Sequence, residues 1–274
     1  MANNWDIENK TFLITGGASG LGAQYVQIFL NLGAKNIAIV DVAEDAGTAL
    51  AERLNKLHKN KVIFIKCDAS KEEDIIKAFE AVLEQFKQID VIINNAGIMN
   101  DSPQVWRTAC TVNWEGLVSF TLKGIKHMRK DEGGVGGTIV NISSTAALTL
   151  FPFIPVYNGS KIAVLHFSQC IAMAPFYETT GVRVLTMCFG PTDTPLLHNL
   201  ETRCYESRLG GVFSDVTIQS GVEFQKVESA VSAFVDMFRS GLPGAIWLSV
   251  NNKPGRDITP EINRVFKELE ALTH

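Results

Sequence analysis

Thr15-Gly16-Gly17-Ala18-Ser19-Gly20-Leu21-Gly22 is the stretch on which the fold turns. It follows a short β-branched run at 11–15 and opens an amphipathic pattern that runs over 21–32 and ends at Gly33, a candidate left-handed helix cap. Glycines at such a strand-to-helix junction let the backbone turn tightly and approach a pyrophosphate, whose charge is met by the free N–H groups at the helix N-terminus. The spacing is Gly16-x-x-x-Gly20-x-Gly22, and no Lys-Ser or Lys-Thr follows, so this is not the phosphate loop of nucleoside triphosphatases. The same glycines also suit a plain tight turn.

Working outward, the next strand pattern ends in Val40-Asp41. A carboxylate there suits the hydroxyls of an adenosine ribose, although an Asp at a strand end also suits a helix N-cap. It would repel a 2′-phosphate; Val42 and Ala43 supply no cation and Lys35 lies at the wrong end of the strand, so the expectation is NAD rather than NADP. Further strand patterns lie at 36–40, 62–67, 89–94, 138–143, 182–188 and 245–250, and helical patterns at 43–57, 71–86, 104–129 and 157–178. Most strands are continuous apolar runs, as expected where helices cover both faces of a parallel sheet. The 274 residues are read as one domain, an α/β doubly wound sheet of about seven parallel strands. The irregular region at about 190–221, with Leu209-Gly210-Gly211 inside it, reads as a lid. A last helix at about 260–272 carries Ile262, Val265, Phe266, Leu269 and Leu272 at helical spacing, to pack on the chain's own body or on a second subunit.

A net charge of −4 and the absence of Lys/Arg runs argue against a nucleic-acid partner. No apolar run reaches the roughly 18 residues of a membrane span, and no secretory leader is evident, so a cytoplasmic location is expected. The five scattered cysteines and five scattered histidines show neither disulfide nor metal-ligand spacing, so no metal is expected.

Tyr157-Asn158-Gly159-Ser160-Lys161 places a phenol and an ammonium on one helix face at i, i+4. A tyrosine near pH 10 is a poor base at neutrality, and a cation within about 4 to 6 Å lowers an acid's pKa by roughly 1 to 3 units. Such a pair is common by chance, but Ser144 lies thirteen residues upstream at the C-terminal end of a strand pattern, where α/β folds bind ligands, although a plain turn hydroxyl is its other reading.

Together, Thr15 to Gly22, Asn94-Asn95-Ala96-Gly97, Asn113, Ser144, Tyr157 and Lys161 resemble the short-chain dehydrogenase/reductase family over essentially the whole chain. Within it the chain is most similar to insect-type alcohol dehydrogenases and NAD-dependent 15-hydroxyprostaglandin dehydrogenases, on Gly133-Gly134-Val135-Gly136-Gly137, Gly244-Ala245-Ile246-Trp247 and the short stretch before Asn113. The resemblance implies a Rossmann-like fold, with Tyr157 as acid/base, Lys161 holding the nicotinamide ribose and depressing the phenol pKa, Ser144 orienting the substrate oxygen and Asn113 holding a relay water. It implies cofactor contacts at Gly16, Ser19, Gly20, Leu21, Gly22 and Asp41, at Asp68 and Ala69, at Asn95, Ala96 and Gly97, and at Gly190, Thr192 and Thr194, besides Tyr157 and Lys161. The family's Pro-Gly after the sixth strand is Phe189-Gly190 here, which puts the rigidity of that loop in question.

Phe151-Pro152-Phe153-Ile154-Pro155 and Leu196-Leu197 would give an apolar pocket, suited to a hydrophobic alcohol or ketone; as core or subunit contacts they have a second reading. The expected activity is reversible NAD-dependent oxidation of such an alcohol by a homodimer or homotetramer. The alternatives are an NADPH-preferring carbonyl reductase and a catalytically silent dinucleotide-binding sensor.

Overall fold

The structure, a computed structural model, describes residues 5–210, 212 and 224–273. The chain runs β1 (Thr11–Thr15), α1 (Gly20–Asn31), β2 (Asn36–Asp41), α2 (Glu44–His58), β3 (Val62–Lys66), α3 (Glu72–Phe86) and β4 (Val91–Asn94). It continues through α4 (Trp106–Cys110), a π-helical turn (Thr111–Gly116), α5 (Leu117–Met128), β5 (Gly137–Ser144), α6 (Pro155–Ile171), α7 (Ala174–Thr180) and β6 (Val182–Phe189). The described residues end with α8 (Val227–Ser240), β7 (Ile246–Ser249), β8 (Arg256–Asp257) and α9 (Thr259–Glu270).

The strands form one sheet in the order β3-β2-β1-β4-β5-β6-β7-β8. Seven run parallel, and β8 pairs antiparallel with β7, Leu248 facing Arg256 and Trp247 facing Asp257; the sequence reading did not include this last strand. Strand order reverses between β1 and β4, which opens the crevice beyond their carboxyl ends where open α/β sheets bind ligands. Period-two alternation divides β1 between two cores: Phe12 and Ile14 join Tyr25, Phe29 and Phe234 under α1 and α8, whereas Leu13 joins Phe79, Phe120 and Ile125 under α3 and α5. Each such fully buried side chain contributes roughly 1.5–3 kcal/mol.

Helix α8 was not anticipated, although Ala230, Val231, Phe234, Val235 and Phe238 carry a helical period and are buried. The single helix read over 104–129 is instead α4, the π-helical turn and α5. Gly116 ends that turn because a Cβ there would lie 2.2 Å from the Ala69 carbonyl oxygen. The helix read over 157–178 breaks between α6 and α7, where Pro175 has no N–H to continue the ladder. Gly33 takes φ +87° after α1, the left-handed cap its position suggested.

The described part of the expected lid is a set of short 3-10 turns at Pro195–Leu197, Leu200–Thr202 and Ser207–Leu209; Gly211 and the stretch 213–221 lie outside the described residues. The stripe on α9 divides. Ile262 packs on the Ala147–Leu165 cluster and Phe266 sets its ring edge on His166 at 5.6 Å, while Val265, Leu269 and Leu272 face outward. Among the described residues no helix is long and apolar enough to cross a membrane.

Candidate active site

Helix α6, which carries Tyr157 and Lys161, is keyed to the sheet by a buried polar relay. The Asn94 amide donates to Asn141 Oδ1 (2.8 Å) and Thr121 Oγ1 (2.9 Å), and the Asn141 amide donates to Ser168 Oγ on α6 (2.9 Å). Ser143 Oγ donates to the Lys161 carbonyl at 2.9 Å. Because buried polar atoms left unpaired are costly, this relay sets the register of α6 on β5.

That register brings Tyr157, Lys161 and Ser144 to one cavity of about 780 Å³ beyond the carboxyl ends of β4, β5 and β6. Burial pushes the Tyr157 phenol up to about 12, with its hydrogen bond to Ser144 acting in the opposite direction. Ser144 Oγ in turn accepts the Ala146 N–H at 3.1 Å. Burial pushes Lys161 down to about 8; its Nζ lies 5.6 Å from the centroid of the Tyr157 ring and donates to the Ile142 carbonyl at 3.0 Å. In the protein alone desolvation of the buried phenol sets the direction, and the group that lowers it is Ser144, not Lys161.

Asn113, in the π-helical turn, clamps the backbone of Ile98 at two points: Oδ1 accepts its N–H (2.7 Å) and Nδ2 donates to its carbonyl (2.8 Å). Nδ2 also donates to Ser160 Oγ at 3.2 Å, so both amide hydrogens are engaged. A Cβ built on Gly97 would stand 3.4 Å from Asn113 Oδ1 and 3.6 Å from Lys161 Nζ, which places these groups around one point.

The glycine loop is held from β4. Asn95 Nδ2 donates to the carbonyls of Thr15 and Gly16 (both 3.1 Å), and the Asn95 and Ala96 N–H groups donate to Thr15 Oγ1 (both 3.0 Å). Gly16 needs φ +63°, and a Cβ on it would lie 2.8 Å from the Ala96 Cα; a Cβ on Gly22 would lie 2.1 Å from the Gly16 carbonyl oxygen. Ser19 takes the N-cap position of α1 in extended conformation without a side-chain cap bond, leaving the first N–H groups of that helix for an anion. Asp41 accepts the Ala18 N–H (2.9 Å) and the Ala43 N–H (3.0 Å), joining the end of β2 to the loop. A bare cradle, an uncapped helix start and a carboxylate beside them fit a dinucleotide.

Leu21, Asn95, Gly97, Gly190, Thr192 and Thr194 also line the cavity. Gly16, Ser19, Gly20 and Gly22 belong to the loop that carries Leu21; Asp41 is hydrogen-bonded to that loop and Ala96 to Thr15 before it, and Asn113 holds Ile98, next to the lining residue Gly97. Asp68 and Ala69 lie farther out, at the β3–α3 turn. Asp68 Oδ1 accepts from Ser70 N–H (3.0 Å) and Oγ (2.7 Å), Oδ2 pairs with Lys71 (3.3 Å), and these contacts hold its carboxyl below the usual range.

Met99, Leu200, Lys253 and Gln225 were not foreseen at the site, whereas Phe151, Ile154, Leu196 and Leu197 line the cavity as expected. Phe189 remains the last residue of β6 and lines the cavity. The loop after it is fixed by Gln225, which is fully buried and donates from Nε2 to Thr192 Oγ1 (2.9 Å) and the Ser249 carbonyl (3.0 Å) while its Oε1 accepts from Ser249 Oγ (3.0 Å). Met99, Phe151, Ile154, Leu196, Leu197 and Leu200 make an apolar wall, whereas Phe153 packs outside it on Cys204. Lys161 and Lys253, from the turn after β7, are the charged side chains of the described lining.

Comparison with known proteins bears on this arrangement. The family model described as short chain dehydrogenase matches residues 10–204. The 15-hydroxyprostaglandin dehydrogenase [NAD(+)] of Mus musculus is 34% identical over 196 residues, 71% of this chain and 72% of that protein. Alcohol dehydrogenase 2 of Ceratitis capitata is 33% identical over 260 residues, 93% of this chain and 96% of that protein. Among solved structures, 3-ketoacyl-(acyl-carrier-protein) reductase from Brucella melitensis complexed with NADH superposes with TM-score 0.72 at 27% identity, over 89% of this chain and 97% of that one.

Proposed function

The chain belongs to the short-chain dehydrogenase family, an oxidoreductase family, and from that premise we propose that it oxidises a hydrophobic alcohol to a ketone or aldehyde, reversibly, with NAD. The observation that carries the proposal is the convergence of Tyr157, Ser144 and Lys161 on one cavity with an apolar wall. NAD, held by the glycine loop, Asp41 and Lys161, would supply the hydride acceptor for the carbinol carbon, and its nicotinamide charge would favour the phenolate. Tyr157 takes the hydroxyl proton, Ser144 orients the substrate oxygen, and Lys161 holds the nicotinamide ribose. Asn113 keeps Gly97 and Ile98 in place; in the relay role, only the second lone pair of its Oδ1 is left on that side chain for a water.

The preference for NAD rests on Asp41, with Val42 and Ala43 beside it offering no cation for a 2′-phosphate. The Mus musculus relative is named for NAD(+) and the Brucella structure holds NADH, which supports the same choice. Asp41→Ala should raise the KM for NAD roughly tenfold or more, the worth of hydrogen bonds to a charged group. The kcat/KM ratio of NADP to NAD should rise with it; a ratio that stays put removes Asp41 from the ribose.

Proton transfer sets the pH dependence. The base form of Tyr157 predominates only above its pKa and grows tenfold per pH unit below it, and burial raises that pKa. Alcohol oxidation should therefore accelerate from neutral into alkaline solution, while carbonyl reduction, which needs the protonated phenol, should hold across neutrality and fall only as the pH approaches that raised pKa. Absorbance of NADH with a panel of aliphatic, isoprenoid, steroid and prostanoid alcohols tests both substrate and direction. Failure of every alcohol and of the corresponding ketones would leave the silent sensor in its place. We also propose a homodimer or homotetramer, supported by the outward apolar residues of α9; a monomer in sedimentation would refute it.

A further inference from the structure

Helix α6, which carries Tyr157 and Lys161, begins without a cap of its own. Its N-cap residue is Ile154 and its first residue is Pro155, which has no N–H. The next two N–H groups find their acceptor 55 and 56 residues earlier in the chain: Val156 donates to Asp101 Oδ2 at 2.6 Å and Tyr157 donates to Asp101 Oδ1 at 3.0 Å. Asp101 is 2% exposed and has no ion-pair partner among the described residues; burial pushes its carboxyl up, and the N–H groups of Val156 and Tyr157 at the helix N-terminus act in the opposite direction.

The same residue reaches the lid. Its own N–H donates to the Arg203 carbonyl at 2.8 Å, just past the turn Leu200–Thr202. Asp101 also ends the segment that begins at Asn95, which holds the glycine loop, and passes through Gly97 and Ile98, which Asn113 holds. One residue thus joins the cofactor side, the catalytic helix and the lid.

We propose that Asp101 is a positioning residue for the reaction: its carboxylate caps α6 from a distance, and its N–H ties the lid to that cap. The inference rests on the reading of Tyr157 as the acid/base. The titratable groups facing Asp101 are Tyr157 on α6, the Cys110 thiol on α4 and the Cys204 thiol in the lid, and burial keeps both thiols neutral. The anion opposes ionisation of the phenol, so removing it favours the phenolate.

Asp101→Asn keeps the shape, deletes the charge and leaves one oxygen for two N–H groups. The acid limb of the pH profile for alcohol oxidation should move to lower pH. The plateau turnover should fall about tenfold from misplacement of the phenol, with NADH affinity unchanged. A purely structural cap would lower the melting temperature and leave the limb where it was, and that result overturns the proposal. Asp101→Ser, a shorter neutral cap, serves if the Asn variant does not fold. Amide hydrogen exchange separates this inference from the reading of Tyr157. The amides of 156–161 and the lid segment 196–204 should exchange together and faster in either variant, even if Tyr157→Phe proves active. Unchanged exchange in both segments overturns the cap itself.

Discussion

Tyr157→Phe lowers turnover of an alcohol substrate by about a hundredfold or more while NADH binds almost as before, because general acid/base catalysis is worth about that much and the ring itself stays in place. The phenol is buried against Met99 and Ile154, so the phenylalanine ring retains those contacts and only the hydroxyl is lost. The lost oxygen is the one that meets Ser144, whose Oγ still has the Ala146 N–H to hold its orientation. The loss should fall on kcat and kcat/KM alike, the pattern of an interaction made in the transition state, and fluorescence titration with NADH should give an unaltered Kd. Turnover at the level of the unsubstituted protein would take Tyr157 out of the mechanism.

Gly22→Ala should have an effect of similar size on the other half of the reaction, dinucleotide binding. The added methyl would lie 2.1 Å from the Gly16 carbonyl oxygen and 2.9 Å from Asn95 Nδ2, the donor that holds both Thr15 and Gly16. Neither neighbour is the free end of a flexible chain, so the loop backbone has to move. Overpacking of this kind costs about 1–3 kcal/mol, here drawn from the cradle itself, which corresponds to roughly tenfold to hundredfold in NADH affinity. Thermal unfolding should shift down with it, by a few degrees per kcal/mol for a chain of about this size. Wild-type NADH affinity would mean that the pyrophosphate does not sit on this loop.

The parts of the site that were legible beforehand are those whose geometry is local. Strand β1 and the glycine loop were readable because tight turns and free N–H groups depend on neighbouring residues, and both stand where expected. Tyr157 and Lys161 share a face because helical period alone requires it. The π-helical turn around Asn113 was not legible: its residues read as ordinary helix, and it forms where Gly116 must pass the Ala69 carbonyl and Asn113 meets Ile98. The brace on the loop after Phe189 was not legible either, because it depends on Gln225, 35 residues beyond Gly190, reaching back to it and to Ser249. The ionisation of Tyr157 also escaped the sequence, since spacing reports that a lysine is near but not how deeply both groups are buried.

By itself the order of amino acids determined the alternation of strands and helices, the glycine turn after β1, the carboxylate at the end of β2 and the pairing of phenol and ammonium on one helix, all of which follow from backbone periods spanning a few residues. Only the tertiary structure decided that Asp101 caps the catalytic helix, that Gln225 braces the loop after β6, and that burial, not Lys161, governs the phenol. These depend on groups tens of residues apart being brought together by packing, and on the water that packing removes, neither of which a local pattern carries.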